Sequence, residues 1–209
     1  MNTIVDVESA EMSVGIPLSE RGPAPPRVVA AFGFWLFLLS DIIVFSALFA
    51  AYAVLSGQTN GGPSAIELFD RRQVLYETCC LLASSFTCGM MMIATDRRAV
   101  VLTYFAALLT AALGIAFLWM EFSEFARMVH QGAGPTRSAF LSSFFTLVGT
   151  HGAHVTVGIA WLIVMMAQVR TLGFRPMVVR RIVCFSLFWH ALDIVWIGVF
   201  TVVYLGAFS

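Results

Sequence analysis

The sequence predicts an all-α, polytopic membrane protein, a five-transmembrane-helix bundle with little mass outside the bilayer. Two observations carry this. Hydrophobic residues make up 59% of the 209-residue chain and charged residues only 11%, whereas charged residues supply about a quarter of an ordinary soluble domain. The apolar residues also fall into five long runs, 28–55, 74–95, 99–120, 139–169 and 182–207, each with the roughly 20 mostly apolar residues needed to cross a hydrocarbon core. In lipid every backbone polar group must be satisfied within the segment, so the runs are expected to be helices.

The elements follow in order. Residues 1–27 carry Asp6, Glu8, Glu11, Glu20 and the run GPAPP and lack the apolar core of a signal peptide, so they read as a short disordered cytoplasmic tail. Residues 28–209 form the five-helix transmembrane domain. Its first and fourth spans exceed what a bilayer needs and should tilt or protrude. The connections are short and polar, and no period of 20 to 50 residues suggests a repeat. The net charge is zero and all 12 basic residues are Arg, which excludes a basic nucleic-acid binder. Cys79, Cys80, Cys88 and Cys184 lie in apolar runs without CxxC or CxxCH spacing and read as packing residues.

Ionisable groups inside the spans are the informative residues. Asp41 falls at the middle of the first span, where a carboxyl costs about 2.5 to 3.5 kcal/mol on insertion scales and should face protein or water. Glu77 opens a stripe with Cys80, Ser84 and Cys88 at helical spacing, a face on which another helix can pack closely. Glu121 and Glu124 stand at the end of the third span, within reach of interfacial water. His151 and His154, three apart in GTHGAHVTVG, adjoin one face of the fourth span. On the fifth, Ser186, His190, Asp193, Thr201 and Tyr204 fall along one stripe. Three readings are open: a metal site of His151, His154, His190 and Asp193; a proton or ion relay through Asp41, Glu77 and Asp193; or cross-helix pairing that fixes packing register.

The segments FGFWLFLLSDIIVFSALFAAYAV, GPTRSAFLSSFFTLVGTHGAHVTVG and SLFWHALDIVWIGVFTVVYLG resemble subunit III of the haem-copper respiratory oxidases, and most of all the branch found in bo-type ubiquinol oxidases. The resemblance runs from about Val28 to Ser209, and the ordered pair HGxHVxxG and WHxxDxVW is its most specific part. It implies a non-catalytic subunit without haem, copper or catalytic residues. Haem and copper are then expected in the catalytic subunit I, which reduces oxygen to water and pumps protons. The implied partners are subunits I and II, a small subunit IV and membrane phospholipid, in a bacterial inner membrane, with no nucleic acid. The resemblance makes Asp41, Glu77, Glu124, His151, His154, His190 and Asp193 structural or lipid-related. Two departures stand out: the two leading helices of the cytochrome c oxidase version are missing, and Asp41 stands where that version has Glu. Alternatives are subunit III of a menaquinol or cytochrome c oxidase, the related small subunit of a nitric oxide reductase or, in another class, a proton-coupled transporter. A transporter would show broken helices or internal symmetry, and neither is visible.

Arginine placement orients the bundle. Arg21, Arg27, Arg97, Arg98, Arg170, Arg175, Arg180 and Arg181 share one side, against Arg71, Arg72, Arg127 and Arg137 on the other. This bias predicts a cytoplasmic N-terminus and a periplasmic C-terminus. Cysteines introduced between residues 57 and 73 should label with an impermeant thiol reagent in intact cells; labelling only after permeabilisation would invert the topology.

Overall fold

A computed structural model describes residues 26–61 and 68–208, and all five apolar runs are helices in it. They are α1 (Pro26–Leu55), α2 (Arg71–Asp96), α3 (Val100–His130), α4 (Ala139–Leu172) and α5 (Pro176–Val199), and each contains a stretch long and apolar enough to cross a membrane. A six-residue π-helical turn (Phe200–Leu205) and a short 3-10 turn (Gly206–Phe208) continue α5. Of the expected tail, residues 1–25 lie outside the described residues.

Local chemistry sets the helix ends. Asp70 caps α2 by accepting from the Arg72 amide at 2.9 Å, and Ser138 caps α4 by accepting from the Leu141 amide at 3.2 Å. Pro176 opens α5 in the first turn, where its missing N–H is not needed. Gly173 ends α4 at φ 66, a left-handed conformation that glycine adopts without penalty. The tight link between α2 and α3 instead places Arg98 at φ 53.

The helices outrun the apolar runs. The third span was expected to end at residue 120, but α3 continues to His130 and carries Glu121 and Glu124 into a buried environment, at 2% and 1% exposure. The expectation that these carboxyls reach interfacial water is therefore corrected: neighbouring helices cover them. The stripe expected on the fifth span is also interrupted. Thr201 is exposed and returns its hydroxyl to the Ile197 carbonyl, while Tyr204 is buried. At α-helical spacing Thr201 lies about 80° round from Asp193, on the outward face already exposed at Ile194 and Ile197.

The chain divides after Phe37 into two units. The first contributes the opening turns of α1, where the Phe34 and Phe37 rings lie 5.8 Å apart. The second, from Leu38 onward, holds the bundle. Within it α2, α3, α4 and α5 close a ring, each packed on the next and α5 again on α2. The remainder of α1 meets this unit along one narrow seam. Leu38, Phe45 and Tyr52 are buried at spacings of seven while most of their neighbours are exposed, the repeat of a helix that touches others along a single line.

Trp189 fills the centre of the ring. Its indole from α5 lies against Gly114 of α3 and Gly158 of α4, where added Cβ atoms would fall 3.0 and 2.9 Å from ring carbons. Its Nε1 donates to Ser84 Oγ of α2 at 3.0 Å. One side chain of α5 thus touches the other three helices of the ring, and it is 1% exposed.

A side chain at position 158 must push a rigid, enclosed ring. Gly158→Val should destabilise by about 1 to 3 kcal/mol, as overpacking does elsewhere. Gly89→Ala, in open space, should be neutral or stabilising by up to about 1 kcal/mol through helix propensity. Denaturant unfolding of both variants in one detergent checks the contrast.

Candidate functional site

The polar residues of the bundle fall into three places. The first is at the α1 seam. His154 donates from Nδ1 to the Thr150 carbonyl at 2.8 Å, and its Nε2 lies 3.8 Å from Asp41 Oδ2. The Phe45 ring packs 5.2 Å from the imidazole. Asp41 stands at the edge of an apolar groove of about 260 Å³ between α1 and α5, lined by Leu38, Phe45, Phe49, Phe188 and Val195 among others. The groove is therefore suited to hydrocarbon, with one carboxyl at its rim.

The second place is the seam between α2 and α5. Ser85 Oγ and His190 Nδ1 share a hydrogen bond of 2.6 Å. The Trp196 Nε1 donates to Thr78 Oγ1 at 3.1 Å, one heptad from the Trp189–Ser84 bond. Ser84 and Thr78 pass their own protons to the Leu81 and Val74 carbonyls, so each hydroxyl is used as donor and acceptor. Thr87 extends the network to Thr110 of α3 at 2.8 Å. Asp193 lies beside Ser85, whose hydroxyl is engaged by His190, and neither Asp193 oxygen has a hydrogen bond of its own among the described residues.

The third place is where α2 begins, α3 ends and the π turn closes over them. Gln73 Nε2 donates to Glu77 Oε1 at 3.1 Å and to the Met120 carbonyl at 3.0 Å. Tyr204 donates to Glu124 Oε2 at 3.0 Å, and Arg127 Nη2 lies 3.6 Å from Glu124 Oε1. Glu121 rests on the α4 backbone at Gly152, where a Cβ would fall 2.7 Å from its Oε1. Glycine is the residue that leaves room for this carboxyl.

Of the residues singled out from the sequence, the structure brings Asp41 to His154 and Glu77 to the neighbourhood of Glu124, and it pairs His190 with Ser85, which had not been singled out. It does not bring the histidines together. His151 is fully buried and turned inward, its ring 5.3 Å from Trp196 and edge-on to Phe117 at 5.7 Å. His154 turns to α1 and His190 to α2. Among the described residues no three His, Cys, Asp or Glu side chains cluster as a metal-holding group, so the proposed four-residue ligand set is not assembled. Sequence reasoning did not single out Gln73, Ser85, Arg127, Trp189 and Trp196. The tryptophans stand seven apart on α5, close to the six-residue spacing of their acceptors Thr78 and Ser84 on the antiparallel α2.

The sequence has counterparts among known proteins. The family described as "Cytochrome c oxidase subunit III" matches residues 27–208, the five helices included. The chain belongs to this family. Among curated relatives it is 51% identical over 174 residues to "Cytochrome bo(3) ubiquinol oxidase subunit 3" of Pseudomonas aeruginosa, covering 83% of each chain. It is 50% identical to the same subunit of Pseudomonas putida, covering 83% of this chain and 84% of that one. It is 44% identical to "Quinol oxidase subunit 3" of Bacillus subtilis, covering 83% and 85%. As a subunit III it is an integral membrane protein of a haem-copper oxidase assembly, whose cofactors sit in other subunits. The hydrogen-bonded seam between α2 and α5 is in keeping with a subunit whose polar groups hold helices together.

Ser85→Ala would leave the half-buried His190 Nδ1 without its partner. The loss should fall between about 0.6 kcal/mol, the mean for bonds between membrane helices, and about 1 to 3 kcal/mol for an unsatisfied buried group. Unfolding of Ser85→Ala beside Ser85→Thr, which keeps the hydroxyl, measures it.

Proposed function

We propose that this chain is the non-catalytic subunit III of a proton-translocating, bo-type ubiquinol oxidase, and that it stabilises the catalytic subunit during aerobic respiration. The observation that carries this reading is the 51% identity, over 83% of each chain, to the bo(3) ubiquinol oxidase subunit of Pseudomonas aeruginosa. On this reading the chain carries no haem or copper, and both reside in subunit I. Subunit II and a small subunit IV complete the complex. The chain lies in a bacterial inner membrane with its N-terminus cytoplasmic and its C-terminus periplasmic, as the arginine bias suggests. Asp41 and the apolar groove beside it take phospholipid, and Glu77, Glu124, His151, His154, His190 and Asp193 hold helices in register. The identity to a Bacillus subtilis protein named for quinol without further qualification supports quinol as electron donor while leaving menaquinol as the second reading.

The test is purification of the tagged chain in mild detergent with its companions. Companion subunits with a strong haem spectrum and oxygen uptake driven by a ubiquinol analogue are expected, with no oxidation of reduced cytochrome c. Rapid cytochrome c oxidation, or a colourless solitary protein, would refute the assignment. A menaquinol analogue used in preference to ubiquinol would favour the second reading. In the same preparation Asp193→Ala should lower the amount of this subunit that co-purifies while leaving initial oxygen uptake per haem nearly unchanged. Full retention with abolished turnover would instead assign Asp193 to a proton relay.

A further inference from the structure

One end of the four-helix ring is lined with arginine. Arg97 and Arg98 form the link between α2 and α3, and Arg170, Arg175, Arg180 and Arg181 surround the link between α4 and α5. The two links adjoin, because Tyr104 near the start of α3 donates to the Met166 carbonyl near the end of α4 at 2.7 Å. Five of the six arginines are exposed and Arg180 is half-buried. Against them stands one acid, Asp96, which is also exposed and forms no ion pair among the described residues. Arg181 is tied to Gln168 at 2.9 Å, whereas the Arg97 and Arg98 side chains have no partner among the described residues.

A second feature begins one residue on. Ala99, Val100, Val101, Leu102 and Phe105 line an open apolar groove of about 530 Å³ on the first turns of α3. Val101 and Phe105 are 83% and 63% exposed, and Leu108 at 70% continues their face into the span. We propose that the arginine pair and this groove form a binding site for one anionic phospholipid. Its phosphate rests on the two guanidiniums, and an acyl chain lies along Val101, Phe105 and Leu108.

The juxtaposition selects the ligand. A hydrocarbon alone would fill the groove and leave the guanidiniums unused. A free phosphate or an acidic peptide would meet the guanidiniums and leave the groove bare. A phospholipid satisfies both with one molecule, and in the order the fold requires: the arginines stand at the helix ends, where headgroups lie, and the groove runs from there into the hydrocarbon. A guanidinium is a planar fork that engages phosphate oxygens two at a time. The surrounding charge fixes the headgroup class. Six arginines against one aspartate repel the ammonium of a zwitterionic lipid and favour a lipid of net negative charge. The site is separate from the groove between α1 and α5. It requires only that the chain lie in a membrane, so it does not depend on which quinol the complex oxidises.

The test uses the complex purified with this chain and reconstituted in phosphatidylcholine vesicles. A small fraction of the lipid is photoactivatable phosphatidylglycerol, with a diazirine near the glycerol end of one acyl chain. Illumination should attach it to the peptide spanning residues 99–108, and photoactivatable phosphatidylcholine at the same mole fraction should label that peptide several-fold less. Each arginine beside an anionic lipid contributes about a five-fold preference, so Arg97→Gln/Arg98→Gln should lose most of the difference. Arg97→Lys/Arg98→Lys, which keeps the charge, should retain part of it. Arg175→Gln, on the same rim but across the ring from α3, should label as the parent does. In the parent, molar salt should shrink the preference by screening the exposed charges, an arm that stands even if the double variant does not assemble. Equal labelling by the two lipids, a preference that survives molar salt or the double glutamine substitution, or no adduct on residues 99–108 would each overturn the proposal.

Discussion

The four-helix ring depends on the enclosure of one indole. Trp189 projects from α5, and its ring lies where α3 and α4 have glycine and where α2 offers a hydroxyl. In lipid there is no hydrophobic drive to bring helices together, because the acyl chains are as apolar as leucine. Association rests on close packing and on hydrogen bonds. Trp189 supplies both at one point: a flat surface that fits against two backbones and an N–H that must find an acceptor. Trp196, seven residues on, repeats the arrangement with Thr78 as acceptor and Phe117 edge-on at 4.7 Å. The two bonds fix the register of α5 against α2, because a shift of one residue would leave both N–H groups buried without partners.

With register fixed, the rest of the polar chemistry follows position along the helices. At the middle, hydroxyls of α2 are saturated by α5 and α3. At one end Gln73 ties the start of α2 to Met120 of α3, and Tyr204 of the π turn bonds Glu124. Membership of the subunit III family accords with this division of labour. The residues that look reactive in the sequence are each drawn to a different neighbour, so His151 sits among aromatic rings, His154 faces a carboxyl group and His190 a hydroxyl. A subunit of this kind contributes a shaped and stable surface to an assembly whose electron-transfer groups lie elsewhere.

Helix α1 follows different physics from the ring. From Leu38 onward it presents a single heptad line to the bundle and leaves most of its circumference, including Ile42, Ile43, Val44 and Val54, exposed. Beyond that line a groove opens towards α5, and Gly198 lies where Phe49 approaches to 3.1 Å of a would-be Cβ. Asp41 sits in the seam, half covered, with His154 as its neighbour. A carboxyl in that position is tolerable because protein and groove share its surroundings, whereas on the outer face of α1 it would meet only hydrocarbon.

The number of helices and their apolar extents were legible in the sequence because a bilayer sets a minimum length and excludes charge, constraints that act on each segment separately. The paired motifs HGxHVxxG and WHxxDxVW carried the resemblance for a related reason: each lies within one segment and is read from the string without knowing how the helices pack. What the sequence could not decide were the facts that need two helices at once. Spacing put His151 and His154 on neighbouring positions of α4, but the helices on either side determined that one turns inward and the other towards α1. The apolar run ended at residue 120, so Glu121 and Glu124 read as exposed until α3 proved to continue under the cover of its neighbours. Thr201 left the expected stripe because it shares the outward face of Ile194 and Ile197, while Tyr204, three residues on, reaches Glu124 of another helix. Hydropathy is a property of a segment, whereas burial of a polar side chain is a property of the segments packed around it, and only the tertiary structure supplies those.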